Sequence, residues 1–161
     1  MTFPESSVEP QESAGWCLLP PGLPFAPLGP QFSAVPATIL VVDDDPLVCQ
    51  VTCRMLQEAG YTVEGVYSAR AALSFLGPDR AYDLFVLDVR LPDMSGLTLA
   101  HLLSAQRPGA PFLFISGFPE SHGEEPPTSR WAFLSKPFGS EQLLPAVEQL
   151  LGSQPPRSPQ R

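Results

Sequence analysis

The chain has 161 residues, with 17 acidic against nine basic side chains and a formal net charge of -8. That balance argues against a nucleic-acid surface of its own, because neutralising phosphates needs clustered Lys and Arg and the sequence has no basic run. No stretch approaches the ~20 apolar residues of a membrane span, so no membrane insertion is expected. The start of the chain carries Glu5, Glu9 and Glu12 among repeated prolines and does not read as a signal peptide. The length sets a prior of one domain. The three cysteines, Cys17, Cys49 and Cys53, form no metal-spaced set. Cys49 and Cys53 read instead as small buried or half-buried apolar side chains, and the odd count fits a reducing, cytoplasmic setting.

In chain order, residues 1–36 hold eight prolines and no periodic apolar pattern. They read as a disordered Pro-rich tail, interrupted by Trp16-Cys17-Leu18-Leu19, which is either plain tail or a docking motif. A domain over residues 37–152 follows, and a second disordered tail over 153–161. Residues 38–42 form an apolar strand that ends on Asp43-Asp44-Asp45. Pro46 then suits the first turn of a helix that one of these aspartates can cap. Leu47, Val48, Val51, Met55 and Leu56 recur at helical spacing until Gly60 ends that helix. A strand over 61–66, a cap at Ser68 and a short helix over 69–76 come next. Residues 83–88 are the central strand, ending on Asp88. The turn Leu91-Pro92-Asp93-Met94-Ser95-Gly96 leads to a helix over 97–106, with Leu99, Leu102 and Leu103 as its buried side. A strand over 111–115 runs into Ser116-Gly117. Residues 118–130 hold three prolines, one glycine and three glutamates and no apolar stripe, so a loop or one irregular turn is expected there. A strand over 131–135 ends at Lys136-Pro137. Ser140 caps a last helix with Leu143, Leu144, Val147, Leu150 and Leu151 as its stripe, and Gly152 stops it.

Short apolar strands alternating with helices mean an α/β fold with a parallel sheet covered on both faces. In such a sheet ligands sit beyond the C-terminal strand ends. There the chain places Asp43-Asp44-Asp45, Asp88, Ser116 and Lys136. Carboxylates suit a hard cation such as Mg²⁺. A hydroxyl can donate to a phosphoryl oxygen, and a lysine can neutralise one. An Asp held between a cation and a lysine can act as a nucleophile toward phosphorus.

On these motifs the sequence resembles the receiver domain of two-component response regulators, over residues 38–151. Asp43 and Asp44 match the family's acidic pair and Asp88 its phosphorylated aspartate, 44 residues after Asp44. Ser116 matches its hydroxyl, Lys136-Pro137 its Lys-Pro pair with a cis peptide bond, and Phe133 its switch aromatic. The Leu91-to-Gly96 turn is close to the family form. The resemblance implies a (βα)5 doubly wound, flavodoxin-like sheet of order 2-1-3-4-5. It also implies Mg²⁺ held by Asp44, Asp88, the backbone carbonyl of Arg90 and, through water, Asp43. A sensor histidine kinase or histidine phosphotransfer protein would donate a phosphoryl group to Asp88. Lys136 and Ser116 would hold the phosphoryl oxygens, and Phe133 would swing inward behind Ser116. The Arg90 side chain either steadies the phosphoryl group, obstructs water or is simply solvated.

The departure is at 118–130, where the family has its fourth helix; here that helix is expected to be degraded or replaced by a loop. The Ser116-Gly117-Phe118 turn and the run from Phe133 to Phe138 look most like receivers of hybrid sensor kinases. Neither a kinase nor a DNA-binding module is expected within the chain. The first reading is thus a single-domain receiver that assists its own phosphorylation without being a classical enzyme, and acts on a downstream protein. A non-phosphorylated interaction module of the same fold is the alternative. An Asp-nucleophile phosphatase is a weaker one, since no insertion is large enough for a substrate cap. A nucleotide site is weaker still, because no phosphate-loop glycine pattern appears.

Overall fold

The computed structural model describes residues 36–118 and 124–152. The expected tails fall outside these residues apart from Pro36, and so do residues 119–123. Five strands, β1 (Thr38–Val42), β2 (Thr62–Val66), β3 (Leu84–Asp88), β4 (Phe112–Ser116) and β5 (Trp131–Ser135), alternate with four helices. These are α1 (Pro46–Glu58), α2 (Ala69–Phe75), α3 (Gly96–Gln106) and α4 (Ser140–Leu151). The strands form one sheet in the order β2-β1-β3-β4-β5, and every pair is parallel. This is the flavodoxin-like order expected above.

The alternation of side chains along each central strand divides the core in two. Leu40, Val42, Phe85, Leu87, Phe112 and Phe114 point to the face covered by α2 and α3. Ile39, Val41, Leu84, Val86, Leu113 and Ile115 point to the face covered by α1 and α4. Between a polar Thr38 at the start of β1 and the polar ends Asp88 and Ser116, β1, β3 and β4 are therefore apolar and buried on both sides. Two glycines permit close approaches. A Cβ on Gly65 of β2 would lie 2.8 Å from Cys53 Sγ and 2.9 Å from Cys49 Sγ, so β2 carries a notch filled by two sulfurs of α1. A Cβ on Gly96 would lie 2.2 Å from the backbone oxygen of Asp88, so the start of α3 sits directly on the end of β3. The Cys49 thiol is pushed well above its ordinary range by its hydrogen bond with Cys53 and by burial. Both cysteines are free, one buried and one half-buried, as expected.

Helix starts follow local capping chemistry. Asp45 accepts from the backbone N–H groups of Leu47 and Val48, with Pro46 in the first turn. Ser68 caps α2 and Ser95 caps α3. Asp93 adds a long-range bond, accepting from Ala69 and Arg70 and so tying the β3–α3 turn to α2. Those backbone donors, Arg70 first, hold its carboxyl below the ordinary range.

Four expectations need correction. Ser140 is the first residue of α4 rather than its cap; Gly139 occupies the cap position, where its N–H donates to Gln142 Oε1. Leu102 is 43 % exposed although Leu99 and Leu103 beside it are fully buried, because no helix flanks α3 on that side among the described residues. Leu47 and Val51 of the α1 stripe are likewise exposed, and line an open cavity together with Pro137 and Phe138. The sheet is not covered evenly either, because β5 shows Trp131 and Phe133 at 42 % and 44 % exposure. The expected loss of a helix accounts for this. Residues 124–130 contain none and instead lie against α3, with Thr98 donating to Glu124 and His101 bonded to the Glu125 carbonyl.

Candidate functional site

Parallel pairing brings the strand ends to one edge. Val42 is level with Leu87, Asp88 with Ile115, and Ser116 with Ser135. Asp43, Asp88, Ser116 and Lys136 therefore converge although they come from four different strand ends. Asp43, Asp88 and Ser116 are buried, at 3 %, 6 % and 3 % exposure.

Lys136 Nζ lies 2.9 Å from Asp43 Oδ2 and 2.9 Å from Asp88 Oδ2, bridging the two buried carboxylates. One ammonium thus faces two carboxylates, and Asp44 adds a third, exposed one. The three offer carboxylate oxygens within 4.8 Å of one another. Burial raises the Asp43 carboxyl above its ordinary value of 3.8, and bonds from the Asp45 N–H and Lys136 only partly offset this. For Lys136, burial alone would lower the ammonium, but its bonds to Asp43 and Asp88 outweigh that and raise it. An excess of buried negative charge with oxygen-only donors fits a hard divalent cation such as Mg²⁺, which Asp43, Asp44 and Asp88 could hold.

Asp88 Oδ1 accepts from the Arg90 N–H at 2.9 Å, fixing the carboxylate at the mouth of the turn. The Arg90 guanidinium does not reach into solution alone; it lies 4.7 Å over the ring of Phe118. Ser116 Oγ donates to the Phe118 carbonyl at 2.7 Å and accepts from the Phe118 N–H at 3.1 Å. Phe133 stands two positions before Ser135 on the face shared with Phe114, their ring centroids 5.2 Å apart, and its side is half open. The Lys136–Pro137 peptide bond is cis. Beside Lys136 an open cavity of about 410 Å³ is lined by Leu47, Val51, Met55, Pro137 and Phe138 among others.

Two residues with a bearing on the site escaped the sequence reading. Gly96 supports the Asp88 backbone by letting α3 touch it, and Phe118 engages both Ser116 and Arg90. The only sequence signal for either was its place in a turn next to a strand end.

A family model described as the response regulator receiver domain matches residues 39–148. The chain belongs to that family. Receiver domains of solved structure share its fold. A response regulator receiver protein from Sinorhizobium medicae WSM419 matches at 31 % identity and a TM-score of 0.67, over 73 % of this chain and 96 % of that one. A CheY-like receiver from Methanospirillum hungatei JF-1 matches at 26 % and 0.65, over 73 % and 95 %. Among curated proteins, sensor kinase CckA of Brucella abortus (strain 2308) is 37 % identical over 73 % of this chain and 13 % of its own length. The probable transcriptional regulatory protein TcrX of Mycobacterium tuberculosis is 32 % identical over 72 % and 50 %. This chain therefore spans about half, or much less, of the curated relatives it matches. No helix among its described residues is long and apolar enough to cross a membrane.

Proposed function

We propose that this receiver accepts a phosphoryl group from a phosphohistidine donor onto Asp88 and signals through protein contacts. The observation that carries the reading is the Lys136 bridge between the buried Asp43 and Asp88 carboxylates at the strand-end edge. Asp88 is the nucleophile: one Oδ forms a bond to phosphorus while the P–N bond of the donor breaks, its electron pair returning to the imidazole nitrogen. Lys136 would follow the negative charge from the carboxylate to the phosphoryl oxygens, and the Ser116 hydroxyl, on leaving the Phe118 carbonyl, would donate to another of them. Asp44, Asp88 and the Arg90 carbonyl, with Asp43 through water, would hold Mg²⁺, which would supply charge neutralisation for the transfer. Phe133 is the switch aromatic: its half-open position leaves it an inward move once Ser116 turns toward the phosphoryl group.

The apolar cavity beside Lys136 suits the donor. Exposed Leu47 and Val51, with Pro137 and Phe138, offer an apolar groove at the lip of the acid pocket, which fits a helix carrying the phosphohistidine. A sensor histidine kinase or a histidine phosphotransfer protein would present such a helix in the cytoplasm. The absence of any basic run favours a protein over nucleic acid as the receiver's downstream partner.

The test is incubation of the purified chain with Mg²⁺ and acetyl phosphate, read by intact mass. The wild type should gain about 80 Da, and Asp88→Ala or chelation of the metal should abolish the gain. A wild type that neither gains mass nor binds Mg²⁺ by calorimetry would overturn the reading and favour a receiver-like interaction module, for which the exposed Trp131 and Phe133 face speaks.

A further inference from the structure

Two groups at the site mouth are engaged by one residue. Ser116 has a single hydroxyl proton, and it is given to the Phe118 carbonyl at 2.7 Å, so it is unavailable to any other acceptor. The Arg90 guanidinium, two residues beyond the acceptor Asp88, lies 4.7 Å over the Phe118 ring, where the negative ring face holds a cation. Phe118 is itself 59 % exposed, so its ring is not fixed by a core. Gly117 between them is open: a Cβ there would meet nothing within 4 Å. The turn that carries Phe118 therefore has space in which to move relative to Ser116.

We propose that Phe118 is a positioning residue that draws the Arg90 guanidinium and the Ser116 hydroxyl away from the acceptor in the unphosphorylated protein and yields both when a phosphoryl group arrives. This rests on phosphoryl acceptance at Asp88. Arrival of the phosphoryl oxygens offers Ser116 a charged acceptor in place of a neutral carbonyl, and charge-assisted bonds are the stronger. The hydroxyl proton leaves the Phe118 carbonyl and the turn relaxes about Gly117. The ring then slides from under Arg90. The freed guanidinium has planar paired N–H donors that match a phosphoryl group, whereas a ring face offers it only electrostatic attraction. Arg90 thus comes to the product only after leaving Phe118, and the ring competes with the phosphoryl group for it.

The chemistry predicts which substitution matters. Phe118→Leu keeps apolar bulk but removes the ring face, and Phe118→Tyr keeps both. An exposed cation–π contact is worth a factor of about three in an equilibrium. The affinity of the Mg²⁺-loaded chain for beryllofluoride, a phosphoryl mimic, should rise about three-fold in Phe118→Leu and stay at the wild-type value in Phe118→Tyr, by calorimetry. In an Arg90→Ala background the Phe118→Leu gain should vanish, since the ring then has no cation to hold. Phe118→Leu, but not Phe118→Tyr, should lengthen the half-life of the 80 Da adduct after donor removal, and only where Arg90 is present. An unchanged or weakened affinity in Phe118→Leu, or a gain that persists without Arg90, would overturn the proposal. A wild type that binds no beryllofluoride and gains no mass would instead sink the phosphoacceptor reading itself, so the two failures are distinct.

Discussion

Replacing Gly96 by Ala tests how tightly fold and site are joined. The added Cβ would fall 2.2 Å from the Asp88 carbonyl oxygen, 2.9 Å from its carbon and 3.0 Å from Val89 Cα, far inside the 3.4–4 Å of ordinary contact. All three atoms are backbone, so no side-chain rotation relieves the clash. The turn must open by about 1 Å, and overpacking of this kind costs about 1–3 kcal/mol. Alanine in the first turn of α3 returns at most ~1 kcal/mol of helix propensity. With backbone rather than flexible atoms in conflict, the net loss should be about 2 kcal/mol, or on the order of 8 °C in thermal midpoint for a domain of this size. The displaced atoms belong to Asp88, the proposed acceptor, and a shift of about 1 Å at a reacting group can cost about 100-fold in rate. Urea unfolding and the initial rate of the 80 Da mass gain from acetyl phosphate measure the two effects. Gly77→Ala, where a Cβ meets nothing within 4 Å, is the control and should stay within about 0.5 kcal/mol. A Gly96→Ala variant as stable and as quickly phosphorylated as wild type would refute the reasoning.

Other substitutions discriminate further. Gly65→Ala meets the Cys49 and Cys53 sulfurs rather than backbone, so it should cost only about 1 kcal/mol and leave phosphorylation intact. In a Cys53→Ala background that cost should shrink by at least half, measured as a double-mutant cycle in urea; an additive pair would mean that the notch is not the cause. Asp43 supplies the pH dependence. Its folded carboxyl binds a proton more tightly than the unfolded one, so this group favours the folded state most below the ordinary value of 3.8. That contribution is lost as pH rises through the raised folded value, where the ionised carboxylate sits buried beside Asp88. In chelator, Asp43→Asn should therefore be more stable than wild type near neutral pH, and the gap should close toward pH ~4. A gap that widens on acidification would contradict the assignment of burial as the dominant cause. With Mg²⁺ present the order should reverse if Asp43 holds the ion as proposed, because the variant lacks that carboxylate.

Much of the fold was legible because its signals are local. Five short strand-forming runs bounded by Gly, Pro and Asp are strands on their own evidence, and Asp45-Pro46 and Ser68 start helices by donor–acceptor chemistry within three residues. The proline content of 118–130 argued against a helix there, and the described residues 124–130 contain none. What failed concerned coverage. Leu102, Leu47 and Val51 sit at apolar helical positions yet face outward, because periodicity marks a side chain as apolar without saying which neighbour, if any, lies over it.

By itself the sequence determined the strand and helix order and which strands end on acid, hydroxyl or amine, since backbone propensity and capping act over a few residues. The family motif then supplied the strand order. Only the tertiary structure decided how those ends meet. Lys136 lies 48 residues from Asp88 and still farther from Asp43, and its two 2.9 Å contacts exist because parallel register levels the strand ends. The hold of Phe118 on Ser116 and Arg90, the seating of Gly96 on Asp88, and the openness of Phe133 are of the same kind. Each depends on which surfaces pack together across the chain, a quantity that no local pattern of residues encodes.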